Sequence, residues 1–175
     1  SQLGRDNGQL QMELGTADGG IRVRVADGRH AAAGILLNSR VCVRGLCRGL
    51  YNSAGHQVAG SMQASSLEDV QILQASEALW LTQPVLNIGS LSGVPVNPAI
   101  EWNVHLKGVA VRIDPGKGLL LRDATGEIEV LSPLADDSNQ GKTLEVLGRV
   151  VVVEGRRRLQ CAVFRRLDSL EGGAS

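Results

Sequence analysis

Few residues of this chain stand at spacings that could do chemistry. Gly141-Lys142-Thr143 has the ending of a phosphate-binding loop, but Asp136 stands where that loop needs its first glycine, and Thr143 opens a strand pattern instead of a helix. Asp136 and Asp137, with Asp123 or Glu127, offer oxygens to a hard cation, yet their spacing matches no calcium loop and a solvated acidic turn is the simpler reading. His105 could serve as a general base only beside a nucleophile, and no serine or cysteine adjoins it in sequence. Cys42, Cys47 and Cys161 are odd in number, and His30, His56 and His105 are scattered, so no metal site is expected. Cys42 and Cys47, five apart in an extended pattern, fall on opposite faces of a strand, which disfavours a bridge. These residues predict no enzyme, no catalytic residues, no cofactor and no metal.

Anion binding remains. Arg156-Arg157-Arg158 falls at a turn between two strand patterns, and Lys117 falls at another; together they could grip phosphate or carboxylate groups. Arg122 and Arg149 extend the same candidate set. A solvated hairpin whose charges resist edge pairing would use the same residues. Asp123, Thr125 and Gly126 read differently: a carboxylate in a tight turn accepts backbone N–H groups, which predicts a structural role.

Strands must position these groups. Val104 to Val130 reads as three strands, the first bent at Gly108, with Asp114-Pro115-Gly116-Lys117-Gly118 and Asp123-Ala124-Thr125-Gly126 as turns. Ile128 and Val130 alternate with Glu127 and Glu129, which puts the isoleucine and valine inward. Residues 134–142 form a polar loop, Thr143 to Val153 a fourth strand, Glu154-Gly155-Arg156 a hairpin turn and Arg157 to Phe164 a fifth strand. Earlier in the chain, Gln9 to Leu14 and Ile21 to Val25 alternate as a hairpin. Residues 30–37 have short helical character, Arg40 to Leu50 reads as one long strand interrupted by glycines, and residues 57–65 and 66–73 close the unit. Residues 77–99, with Pro84, Pro95 and Pro98, predict a connecting segment carrying one helical turn at 75–80.

The two halves repeat one order of events: a hairpin, a polar or short helical connection, a strand ending Val-x-Val-x-Gly (41–45) or Leu-x-Val-x-Gly (144–148), a turn and a last strand. Five strands broken between the third and fourth is the OB-fold pattern. The expected fold is all-β: two OB-fold-like five-stranded barrels in tandem, over residues 1–76 and 100–172. For the first barrel's opening strand, either Ser1 to Asn7 supplies it or the chain begins after it. The chain starts at Ser1 without a methionine or leader, so a processed chain or a piece of a larger protein is expected.

Charge and composition bear on the partner. The chain carries 18 basic and 18 acidic residues, with 7 and 6 in residues 1–76 and 11 of each in residues 99–172. That balance, with only Tyr51, Trp80, Trp102 and Phe164 for stacking, weighs against nucleic acid. No apolar run approaches the roughly 18 residues of a membrane span.

The second half resembles a known family. Val104-His105-Leu106-Lys107-Gly108-Val109-Ala110-Val111, then residues 119–130 with Arg122-Asp123-Ala124-Thr125-Gly126, then Leu144-Glu145-Val146-Leu147-Gly148, is similar to the OB-like modules in the extracytoplasmic sensing regions of bacterial sensor histidine kinases. Ile88-Gly89-Ser90-Leu91 resembles the lead-in before such modules. The resemblance implies a non-catalytic sensing or scaffolding module of a larger signalling protein, extracytoplasmic and in contact with protein or a small ligand. The alternative expectation is a tandem OB-fold protein that binds single-stranded nucleic acid through Lys117, Arg122, Arg149 and Arg156 to Arg158, with a cytoplasmic location.

Overall fold

The computed structural model describes residues 3–6, 9–17, 19–27, 33–94, 96 and 104–167. The chain divides into two compact units, Ser1–Ser76 and Glu77–Ser175. His30 and Trp102 lie outside the described residues.

Among the described residues the first unit forms an open sheet. Strands β1 (Leu3–Asp6), β2 (Gln9–Thr16) and β3 (Gly19–Asp27) form an antiparallel meander. After the helical turn α1 (Ala33–Leu36) come β4 (Arg40–Val43), β5 (Leu46–Tyr51), β6 (Gln57–Ser66) and β7 (Val70–Gln74). The sheet runs β1-β2-β3-β6-β5, with β6 parallel to β3, while β4 and β7 form a separate pair. Leu10, Val23, Val25 and Ala64 are fully buried inside it. An opening strand therefore exists at 3–6, but no closed first barrel is found among the described residues: the β4 edge is taken by β7. Val41 and Val43 of β4 are only half-buried.

The long strand expected over residues 40–50 is two strands in different sheets. The break comes at Gly45, where any Cβ would collide with the Gln63 carbonyl, so the chain crosses β6 there with no room for a side chain. Cys42 and Cys47 consequently sit on separate strands, both exposed and both free.

The second unit closes. It begins with α2 (Glu77–Thr82) and β8 (Val85–Leu86), then β9 (Val104–Asp114), β10 (Gly118–Arg122), β11 (Glu127–Leu131), β12 (Thr143–Val153) and β13 (Arg156–Arg166). Pairings run β9-β10-β11-β13-β12 and back to β9, with β11 and β13 parallel, which is the connectivity of an OB-fold. Strand alternation fills the barrel with Val104, Leu106, Leu121, Val130, Leu144, Val146 and Leu159, all at most 1% exposed. Leu120 is half-buried, while its neighbours Leu119 and Leu121 point in. Gly108 permits the bend of β9, since a Cβ there would stand 2.6 Å from the Arg122 carbonyl oxygen.

Residues 77–94, expected to connect the modules, pack on this second barrel. Strand β8 pairs in parallel with β9, and Ile88 and Leu91 of the 3-10 turn Ile88–Gly93 join the barrel core. Their apolar side chains explain it: a segment this hydrophobic gains more by burial than by spanning solvent.

Candidate functional site

Most of the cations expected to bind a ligand are already satisfied. Arg122 clasps Glu127, its cross-strand neighbour on β11. Arg149 donates from Nε to Gln160 Oε1 at 3.0 Å. Arg157 does not face a ligand at all: its Nη1 donates to the carbonyls of Leu91 (2.9 Å) and Val94 (2.8 Å) and ties the lead-in to the barrel. Arg158 Nε lies 2.6 Å from Glu129 Oε2, an ion pair without a well-aligned N–H, and its Nη2 is 3.5 Å from Glu154. Lys117 reaches Asp114 at 3.5 Å. Arg156 alone of the six has no partner among the described residues.

The structure does gather Lys117 and Arg158, with Arg112, Asp114 and Glu129, around a shallow hollow of about 250 Å³ on the outer face of β9, β10, β11 and β13. Arg112 stands 3.9 Å from Glu129. Every cation in this hollow faces a carboxylate. An incoming anion would have to displace one of them.

The hairpin that carries Arg156 turns through Glu154 and Gly155, with φ of 53° and 74°. Two positive φ values in succession are those of the hairpin turn whose twist matches its strands.

Asp123 organises a clamp. Its Oδ1 accepts N–H bonds from Thr125 (2.7 Å) and Gly126 (3.0 Å) and the Thr125 hydroxyl (2.7 Å), while Oδ2 accepts the Ile88 N–H at 2.8 Å. Thr125 Oγ1 in turn accepts the Gly89 N–H at 2.8 Å. Desolvation opposes ionisation here, but the bonds from Ile88, Thr125 and Gly126 outweigh it and hold the carboxyl below its ordinary range. Both carboxylate oxygens of Asp123 and the Thr125 hydroxyl are spent on the fold.

The remaining candidates for chemistry resolve into structure. His105 points outward from the barrel yet is buried beneath α2, its Nδ1 2.9 Å from the Gln83 carbonyl and its Nε2 3.7 Å from Glu145. Trp80 meets it edge-on at 5.4 Å, and Arg165 lies over Trp80 while binding Glu145 at 2.6 Å and Glu77 at 2.9 Å. No substrate reaches that ring. Cys161 packs against the barrel core, and burial pushes its thiol up to about 12, against the pull of Ser132 and Val163. Lys142 and Gly141 use their backbone to bond Ala110 across β9, so they cradle no phosphate. Asp136 caps the 3-10 turn Asp137–Asn139 through Ser138, whose bonds hold its carboxyl below the ordinary range. Among the described residues no His, Cys, Asp and Glu group could hold a metal ion.

A group of cations without partners among the described residues sits on the first unit. On the outer face of the first unit, Arg22 of β3 is in register with Ser61 of β6, and Ser61 with Arg48 of β5. One step along, Arg24 aligns with Gln63, and Gln63 with Leu46. Arg22, Arg24 and Arg48 are all exposed, and none has an ion pair or hydrogen bond among the described residues. Glu13 of β2 stands opposite Arg22 on this face, and it leans over Gly20 instead. The alternation Ile21-Arg22-Val23-Arg24-Val25 already puts these arginines outward. Their alignment with Arg48 depends on a parallel pairing between strands about 40 residues apart, which alternation cannot reveal.

No protein-family model and no curated protein matches the chain. Among solved structures it is similar to a murine DNA-binding protein bound to double-stranded DNA, at 14% identity over 95% of this chain and 91% of that one, with a TM-score of 0.39. It is also similar to the p204 HINb domain, at 13% identity over 91% of this chain and 85% of that one, with a TM-score of 0.37. At such values the likeness does not fix even the fold, which rests on the strand pairings themselves.

Proposed function

We propose that this chain is a non-catalytic binding module whose partner is nucleic acid, held by its phosphates on the outer face of the first unit. The observation that carries this reading is the arginine ladder Arg22, Arg24 and Arg48, exposed and in no ion pair among the described residues. A phosphate that meets these guanidinium groups displaces counterions and no ion pair, so the full electrostatic gain is kept. On the second unit the same encounter would first have to break Arg158 from Glu129 or Lys117 from Asp114. Even charge balance over the chain is no obstacle, because what an anion meets is the local face. The shortage of aromatic rings matters less as well, since guanidinium planes themselves stack on bases. This reading agrees with a cytoplasmic location.

The test is a salt titration. Anisotropy of a labelled strand of about 20 nucleotides, followed between about 0.05 and 0.2 M salt, should give a binding slope to which each neutralised phosphate adds roughly 0.7. Replacing Arg22, Arg24 and Arg48 together by Ala should reduce that slope by about 2. An unchanged slope, or no binding at low salt, removes the proposal.

A second reading has its own support. The Asp123 and Thr125 clamp on Ile88 and Gly89 joins the lead-in and the turn, the two stretches on which the resemblance to sensor-kinase modules rests, into one rigid piece. A sensing or scaffolding module outside the cytoplasm, contacting protein or a small ligand, would use such a unit. A membrane span and kinase segments encoded in the same parent chain would decide for it.

A further inference from the structure

We infer that the nucleic acid taken by the first unit is single-stranded, with Leu46 and Leu50 of β5 meeting its bases beside the arginines that hold its phosphates. The inference rests on the proposed function and names the class of strand. Leu46 and Leu50 are 81% and 58% exposed, although both are large and apolar. Register fixes their face. Leu46 aligns through Gln63 with Arg24, and Arg48 through Ser61 with Arg22, which turns both outward; the register shifts after Arg48, where Gly60 is the extra residue on β6, and the alternation of β5 itself keeps Leu50 on the same side. Leu50 reaches across onto β6, where a Cβ on Gly60 would collide with it. The edge strand therefore presents leucine, arginine, leucine at steps of about 7 Å, with Arg22 and Arg24 about 10 Å away across two strand spacings.

That arrangement selects among polyanions. A duplex keeps its base faces stacked inside and offers phosphates alone, so it would leave both leucines against water. An unpaired strand can turn bases out onto apolar side chains while its phosphates stay on the arginines. An acidic peptide added as a strand to the free edge of β5 would reach the leucines and Arg48. It would lie too far from Arg22 and Arg24 to pair with them. Only a chain laid across the face uses all five residues, and the polar Ser61 and Gln63 between them offer it hydrogen bonds.

The test compares the full chain on a labelled single strand and on the duplex of the same sequence, in one buffer. The single strand should bind about tenfold more tightly. The double variant Leu46→Thr/Leu50→Thr keeps strand-forming residues at both positions. It should bring the two affinities within about twofold of each other while leaving the salt slope as it was. Thermal unfolding of the variant, matched to the parent, checks that the sheet is intact, and Leu46→Ala/Leu50→Ala gives a second apolar deletion should the first misfold. Duplex binding as tight as single-strand binding in the parent overturns this inference and leaves the proposed function standing, as does a preference that survives both double variants. Polyglutamate of matched charge competing as well as the strand overturns it too, in favour of an acidic peptide. Failure to bind either nucleic acid overturns the proposed function and this inference together.

Discussion

Asp123 accepts four hydrogen bonds with one carboxylate, and its replacement tests how much the clamp holds. Asp123→Asn keeps the shape but turns one acceptor into a donor that faces an N–H, so a loss of about 1–2 kcal/mol in chemical denaturation is expected. Because the folded carboxyl ionises below its ordinary value, the stabilisation is complete above the unfolded-state pKa, near 4. It is lost as pH falls through the lower folded value. The gap between parent and variant should therefore be constant at neutral pH and close under acid. A gap that widened in acid would contradict the assignment. At this scale the turn was legible, since Asp-x-Thr-Gly between two strand patterns predicts local N–H bonds to the carboxylate. The bond to Ile88 was not, because it comes from 35 positions away. The burial of His105 was not legible for the same reason. Its burial comes from α2, which nothing in the strand alternation around it announces.

Elements were legible where alternation is strict. Strand β11 follows Glu127-Ile128-Glu129-Val130, and Ile128 and Val130 are buried as the period demands. Ile128→Ala should cost about 2–5 kcal/mol, read from the denaturant midpoint. Unfolding indistinguishable from the parent would place Ile128 outside the core. Residues 40–50 are the counterexample, for their glycines leave the pattern free to run on or to break. Only the close approach of the Gln63 carbonyl to Gly45 decides for a break. Residues 77–94 likewise kept an ambiguous pattern, apolar but interrupted by proline, and were resolved by the barrel they cover.

Over the whole molecule, 18 positive and 18 negative residues sum to zero, and the sum hides their distribution. The second unit pairs Arg112, Lys117, Arg122, Arg158 and Arg165 with carboxylates, while Arg22, Arg24 and Arg48 on the outer face of the first have no ion pair among the described residues. If pairing and not net charge governs binding, Glu129→Gln should release Arg112 and Arg158 and raise the salt slope for single strands by about 1. No change in slope would mean that the hollow on the second unit takes no part even when freed. Composition and alternation by themselves determined an all-β chain, its two halves, the inward positions of most strands and the turns. Those properties depend on neighbours in sequence, and a period of two states them directly. Tertiary structure alone decided that one barrel closes while, among the described residues, the other sheet stays open, which of their arginines are paired, and where the candidate site lies. Each of these depends on which strand edge finds which partner. That choice is made by packing among residues tens of positions apart, and no local pattern encodes it.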